Sequence, residues 1–143
     1  MKYHFKVRKE GKFYWAQCVE LEGCFTQATS IKNLQENMQI ALNLYIQEPE
    51  DSQDLAVLPR KRLKKTRSIH EVPVDPAIAF AFMVRYHRIK NGITQNQAAK
   101  KMGFENMNSY QRLEGKRCNP TLKMMQKVKS VFPEFSIDLA VSC

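Results

Sequence analysis

Starting and stopping signals for helices crowd into residues 75–133, and they leave room only for short ones. Asp75-Pro76 opens the first, since Asp caps free backbone donors and Pro suits the first helical position, where its missing N–H is not needed. A helix is predicted from Ala77 to Lys90, with Ile78, Ala81, Phe82, Arg85 and Ile89 on one side and Asn91-Gly92 as its stop. Thr94 caps a second, Gln95 to Met102, which Gly103 closes. A third, Asn106 to Glu114, ends at Gly115, and a fourth runs from its cap Thr121, after Asn119-Pro120, to Phe132, where Pro133 stops it. Beyond it Phe135, Ile137, Leu139 and Val141 alternate with Ser136, Asp138 and Ala140, which predicts a strand. Such a strand needs a partner, either its own copy in a second subunit or the helices before it.

Residues 1–74 follow a different period. Tyr3, Phe5 and Val7 alternate with His4, Lys6 and Arg8, the pattern of a half-buried strand, and Glu10-Gly11-Lys12 turns the chain back. Phe13 to Glu20 reads as the second strand of that hairpin, and Cys24 to Ala28, after Gly23, as a third. Ser30 then caps a helix over Ile31 to Gln47, whose Leu34, Met38, Ala41, Leu42 and Tyr45 recur at three- and four-residue steps and face the sheet, and Pro49 ends it. Residues 48–67 read as a long loop, first acidic (Glu48, Glu50, Asp51, Asp54) and then basic (Arg60, Lys61, Arg62, Lys64, Lys65, Arg67). A solvated loop is the plainer reading of the basic run, and reach toward a nucleic-acid backbone is the other. Ile69 to Val74 is a fourth strand, which Pro73 confines to an edge. The fold class is therefore α+β: a β-β-β-α-β domain over residues 1–75, then an all-α domain over 76–143 with a C-terminal strand.

Charge follows the same division. Residues 1–58 hold six Lys and Arg against eight Asp and Glu, whereas residues 76–143 hold eleven against four. A basic half joined to a near-neutral half is what contact with phosphates on one half would produce. The opening residues Met1 to Phe5 form no apolar leader, and no stretch approaches the ~18 apolar residues of a membrane span. A soluble cytoplasmic protein is expected. Cys18, Cys24, Cys118 and Cys143 show no paired spacing and, with His4, His70 and His87 scattered, give no metal-ligand pattern, so no metal or cofactor is expected. Glu20 and Glu22 are too few for a metal-dependent nuclease, and His4 and His70 each read as a satisfied surface histidine and not as a general base. No catalytic residue is assigned.

Two short helices around a glycine-containing turn, in a basic domain, are the frame in which the second helix enters a major groove. On the third helix, Met107, Tyr110 and Leu113 share one face and are expected inward, leaving Asn106, Asn108, Ser109, Gln111 and Arg112 outward. Asn and Gln can pair with adenine and Arg with guanine, so this face suits direct readout. Lys100, Lys101, Lys116 and Arg117 are better placed to hold phosphate. Thr94-Gln95, Ala99, Met102-Gly103, Tyr110, Leu113-Glu114 and Pro120 together resemble the lambda-repressor-like (XRE-type) helix-turn-helix family over about residues 76–132. The interval from Gly103 to Glu114 is one residue longer than the commonest family pattern. That resemblance implies that Gln95 touches phosphate at the start of the second helix.

A second resemblance covers the first half. Tyr14-Trp15-Ala16, then Glu20-Leu21-Glu22-Gly23-Cys24-Phe25-Thr26, then Asn37-Met38, Ala41-Leu42 and Tyr45 resemble the HicB antitoxin family, whose "pelpGC.T" strand leads into a helix of the "EA..N...AL..Y" kind. Ala28-Thr29-Ser30 and Lys32-Asn33 depart from the family pattern. Many members append a helix-turn-helix. The resemblance implies a partial ribonuclease-H-like fold without nuclease activity, which binds and masks a HicA-type mRNA interferase toxin. The second domain is then expected to repress its own operon at operator DNA, as a homodimer or higher homo-oligomer because one recognition helix contacts only a few bases. The contact residues for the toxin are not assigned. Two other readings stand beside it: a free-standing XRE-type regulator whose N-terminal domain dimerises or senses a ligand, and a residual RNA-processing enzyme.

Overall fold

A computed structural model describes residues 1–47, 55–61, 63, 64 and 66–142. Its described residues form one four-stranded antiparallel sheet and six helices, in two compact units that part between Val74 and Asp75. No helix among them is long and apolar enough to cross a membrane.

In the first unit β1 (Lys2–Glu10) and β2 (Phe13–Cys18) form the hairpin, with Gly11 in the left-handed region (φ 58°) that a side chain would resist. β3 (Phe25–Ala28) pairs with β2, and β4 (Ile69–Pro73) pairs with β1, giving the order β3-β2-β1-β4. Pro73 therefore ends an edge strand, where a missing donor costs least. Helix α1 (Ile31–Gln47) starts where Ser30 Oγ accepts from Asn33 N at 3.2 Å. It packs on one face of the sheet through Leu34, Met38, Leu42 and Ile46. Ala41 and Tyr45, expected inward, are half-buried at the margin of that stripe, and the Tyr45 hydroxyl donates to Glu22 O at 3.0 Å. The second strand stops at Cys18 rather than Glu20, because Val19 N turns to His4 O and the Glu20 side chain folds back on His4.

The loop expected over 48–67 is not free where it is described; its acidic part, with Pro49, and Arg62 and Lys65 of its basic run lie outside the described residues. Tyr3 Oη donates to Val57 O (2.8 Å), Arg60 N to Glu20 Oε2 (3.1 Å) and Val7 N to Ser68 O (2.7 Å). These bonds fasten the segment to the sheet and bring its charge with it. Among the described residues the first unit holds ten Lys and Arg against five Asp and Glu, and the second eleven against five. The charge contrast expected between the halves is thus absent from the folded units.

The second unit contains α2 (Pro76–Lys90), α3 (Gln95–Lys101), α4 (Met107–Gln111), α5 (Leu122–Val131) and α6 (Ile137–Val141). Asp75 Oδ1 caps α2 by accepting from Ala77 N at 3.0 Å, and Gly92 (φ 66°) ends it. One stripe was expected on α2, but Ala79 to Arg85, His87 and Arg88 are all buried, so α2 is a central helix enclosed on every side, while Ile78 and Ile89 are only half-buried. The tail is a correction. Phe135 to Val141 is not a strand: Ser136 Oγ caps α6 by accepting from Leu139 N (3.1 Å), and Phe135 sits before it, 5.1 Å from Phe80 in an edge-on ring contact. Seven residues are too few for a two-residue period to outweigh a serine cap, and α6 packs on α2. No tail strand is left to pair two subunits.

His87 lies in this cluster, 6.1 Å from the Phe132 ring and 5.5 Å from Phe135. Burial lowers its pKa from the ordinary 6.5, Lys129 and Lys90 adding to the effect and Glu134 opposing it. The folded state then binds fewer protons than the unfolded chain, so the contribution of His87 is present above pH 6.5 and is lost as pH falls through the depressed folded pKa. Thermal melts from about pH 7.5 to 5 should show this loss, and His87→Phe should flatten that part of the profile. An unchanged pH slope in the variant would contradict the assignment.

Candidate nucleic-acid interface

The helix pair α3 and α4 is built on its caps. Thr94 Oγ1 accepts from Gln97 N (3.1 Å) while Gln97 Oε1 accepts from Thr94 N (2.8 Å), a reciprocal capping box that starts α3. Gly103, in the left-handed region (φ 76°), ends it, with Phe104 N donating back to Ala99 O at 3.0 Å. Asn106 then caps α4, its Oδ1 accepting from Ser109 N (3.0 Å) and Ser109 Oγ (3.3 Å). The helix expected to run to Glu114 keeps α-form only to Gln111. It tightens into three-residue bonds, Leu113 N to Tyr110 O (2.8 Å) and Glu114 N to Gln111 O (3.1 Å).

That tightening turns Glu114 inward. Arg88 Nε and Nη2 donate to its two oxygens at 2.7 and 3.1 Å, and Arg88 Nη1 donates to Ile93 O at 3.2 Å. Both residues are buried, 6% and 8% exposed, so this is an ion pair in low dielectric and not a surface contact. Burial works against the charge on Arg88, but the bonds and charge of Glu114 outweigh it and its pKa stands above the ordinary value. Burial also raises the Tyr110 phenol, and the Glu114 charge adds to that. From Glu114 the network runs outward: Gln95 Nε2 reaches Glu114 Oε1 (3.5 Å), and Gln111 Nε2 donates to Gln95 Oε1 (3.2 Å). One chain of polar contacts thus links the core of α2 to the exposed side of α4.

The expected site residues fall into groups. Gln95 and Gln111 meet and line an open cleft of about 710 Å³ with Arg88 and Glu114 beneath it. Ser109, Arg112, Lys116 and Arg117 line a second cleft of about 680 Å³, beyond α4. Asn108, Gln111, Arg112, Lys116 and Arg117 are exposed, and Ser109 is half-buried. Asn106 is exposed, but its carboxamide oxygen is used as the cap, so it differs from the outward reader expected. Met107 departs too: it was expected to pack inward with Tyr110 and Leu113, yet it is the first residue of a five-residue helix and is 40% exposed. Sequence reasoning gave Arg88 and Glu114 no role. Their neighbours along the chain include polar residues, His87 and Lys90 for one and Arg112 and Lys116 for the other, so no local pattern marks either residue as buried.

The first unit holds a second buried carboxylate. His4, expected at the surface, is buried, and its Nδ1 lies 2.8 Å from Glu20 Oε2, with Glu71 Oε1 3.8 Å from Nε2. Glu20 also accepts from His4 N (3.0 Å) and Arg60 N (3.1 Å), which makes it the clasp between β1 and the 56–60 segment. Among the described residues no group of three or more His, Cys, Asp or Glu is placed to hold a metal ion. No protein-family model matches this chain, and no curated protein does so at a significant level.

The Arg88 and Glu114 pair yields a test. Arg88→Met and Glu114→Leu, singly, should each cost about 3–5 kcal/mol by leaving a lone buried charge, while the double variant should recover most of the loss. Chemical denaturation of the four proteins measures this, and additive losses would mean the two groups are not coupled.

Proposed function

We propose that this protein is the antitoxin of a type II toxin-antitoxin system: its first unit masks a small HicA-type mRNA interferase, and its second represses the operon by binding operator DNA. The observation that carries the DNA half is the Gln111, Gln95, Glu114 and Arg88 network, which fixes an exposed carboxamide on α4 from a buried ion pair. Gln111 spends one N–H on Gln95 and keeps its oxygen and second N–H for an adenine edge, in an orientation set before binding. Arg112 stands exposed beside it as the candidate reader of guanine. Lys116 and Arg117, exposed in the turn after α4, are suited to phosphate, as is Gln95 on the XRE-type resemblance. The net charge of +9 supports such contacts through counterion release.

The antitoxin half rests on the HicB resemblance and on a β-β-β-α-β unit of the corresponding element order. In this reading Glu20 is a structural clasp and the unit does no chemistry. Two subunits reading paired half-sites would give the operator complex its symmetry.

Gln111→Ala and Arg112→Ala should each weaken operator binding about 5- to 150-fold while changing binding to random duplex far less. Lys116→Ala and Arg117→Ala should weaken both alike and lower the salt slope by about one each. Equal losses on operator and random DNA for Gln111→Ala and Arg112→Ala would mean α4 holds backbone only. Co-expression with the small reading frame beside this gene should yield a complex without ribonuclease activity; free, active toxin would remove the antitoxin half and leave a regulator.

A further inference from the structure

The sheet of the first unit has one face packed by α1; the other is covered by Glu20 at His4 and is open over Lys6, Arg8, β2 and β3. Alternation and register divide the strands cleanly: Ala16, Cys18 and Ala28 are buried, whereas Phe13, Gln17, Phe25 and Gln27 on the opposite face are exposed. Across the open face run two rows, Lys6 beside Gln17 beside Phe25, and Arg8 beside Trp15 beside Gln27. Phe13 continues β2 beyond Trp15. Phe25 is 60% exposed and Phe13 44%, and Trp15 is half-buried between them.

Aromatic rings left in water on a flat sheet are surface held for a ligand, and their neighbours indicate its chemistry. Trp15 stands between Arg8 and Gln27 and Phe25 beside Gln17, while Phe13 stands opposite Glu10, so the face offers stacking and hydrogen bonds more than an apolar patch. Its spacing is equally informative. Residues two apart on a strand, and diagonal neighbours across strands, stand about 7 Å apart, roughly twice the ~3.4 Å rise of a stacked nucleic-acid strand. Rings at that spacing suit bases splayed from one another, as in single strands bound on aromatic platforms. The electrostatics agree. Arg60, Lys61, Lys64 and Arg67 belong to the segment fastened to this unit at Glu20 and Val7, and Glu20 is itself bonded to His4, a residue of the same face. Glu10 and Glu71 also face this way, paired with Arg8 at 3.5 Å and Lys2 at 3.9 Å, but pairs so exposed yield readily to phosphate. A basic protein would be repelled by the same surface.

We propose that this open face binds single-stranded nucleic acid, stacking bases on Phe25, Trp15 and Phe13 and holding phosphates with Lys6, Arg8 and Arg60. The inference stands apart from the toxin and operator reading, which concerns a protein partner and duplex DNA.

Trp15 is the only tryptophan in the chain and lies in the proposed site, so it reports occupancy directly. Titrating the full-length protein with a short single-stranded uridine oligonucleotide should quench its fluorescence saturably, in step with anisotropy of the labelled oligonucleotide. Phe13→Ala and Phe25→Ala, which remove exposed rings and leave the core intact, should each weaken that binding about 5- to 100-fold and leave duplex DNA binding unchanged. Lys6→Gln should lower the salt slope by about 0.7. Arg112→Ala should leave single-strand binding as it was. Binding without quenching, or binding indifferent to both Phe variants, would place the strand elsewhere and overturn the proposal. Loss of a co-purifying protein in the Phe variants, with RNA binding absent from the wild type, would make this a protein-docking face instead.

Discussion

A carboxylate taken out of water must be met by donors or a counter-charge, and the placement of α4 depends on how Glu114 meets that demand. A helix of five residues has no stability of its own, since nucleation costs more than so few bonds return. What holds it is the turn after it, where Glu114 enters the core and binds Arg88 through two hydrogen bonds. Tyr110 on α4 and Leu113 in that turn are buried and supply the apolar anchoring. The pair adds direction, because a bidentate contact has only one good geometry. Gln95 and Gln111 inherit that direction through the contacts that lead outward from Glu114.

The first unit solves a similar problem with Glu20. Its oxygens face His4 Nδ1, His4 N and Arg60 N, so a single buried side chain joins the hairpin to a segment far along the chain. The consequence is electrostatic as much as structural. Fastening residues 56–60 there, and Ser68 to Val7, carries Arg60, Lys61, Lys64 and Arg67 onto the sheet unit, so both units are positive among their described residues. The two proposed nucleic-acid contacts, a helix on one unit and a sheet face on the other, therefore each lie on a positive unit.

Much of this was legible residue by residue. Ser30, Asp75, Thr94 and Thr121 cap the helices they were expected to cap, because an N-cap is a local event between a side chain and the backbone donor two or three residues on. The strands and α1 were legible for the same reason, their periods extending over enough residues to be unambiguous. Shorter segments were not. Phe135 to Val141 alternates over a span in which helix and strand patterns overlap, and only the Ser136 cap and the packing of Phe135 on Phe80 separate them. Met107 was assigned inward by its three-residue spacing to Tyr110 and Leu113, and instead stands 40% exposed in the first turn of α4.

The sequence by itself determined the elements and their order: which segments alternate, where helices start, and that β4 lies at an edge, since all of these follow from bonds and steric rules within a few residues. Only the tertiary structure decided the partners. Arg88 and Glu114 are separated by 26 residues, His4 and Glu20 by 16, and Glu20 and Arg60 by 40. No local rule pairs them, because the energy of a buried charge depends on what packing brings beside it and not on its neighbours along the chain. The candidate interface belongs to the second class: its residue types could be read from the chain, but which of them stand exposed, and which are consumed as caps and clasps, was decided by the fold.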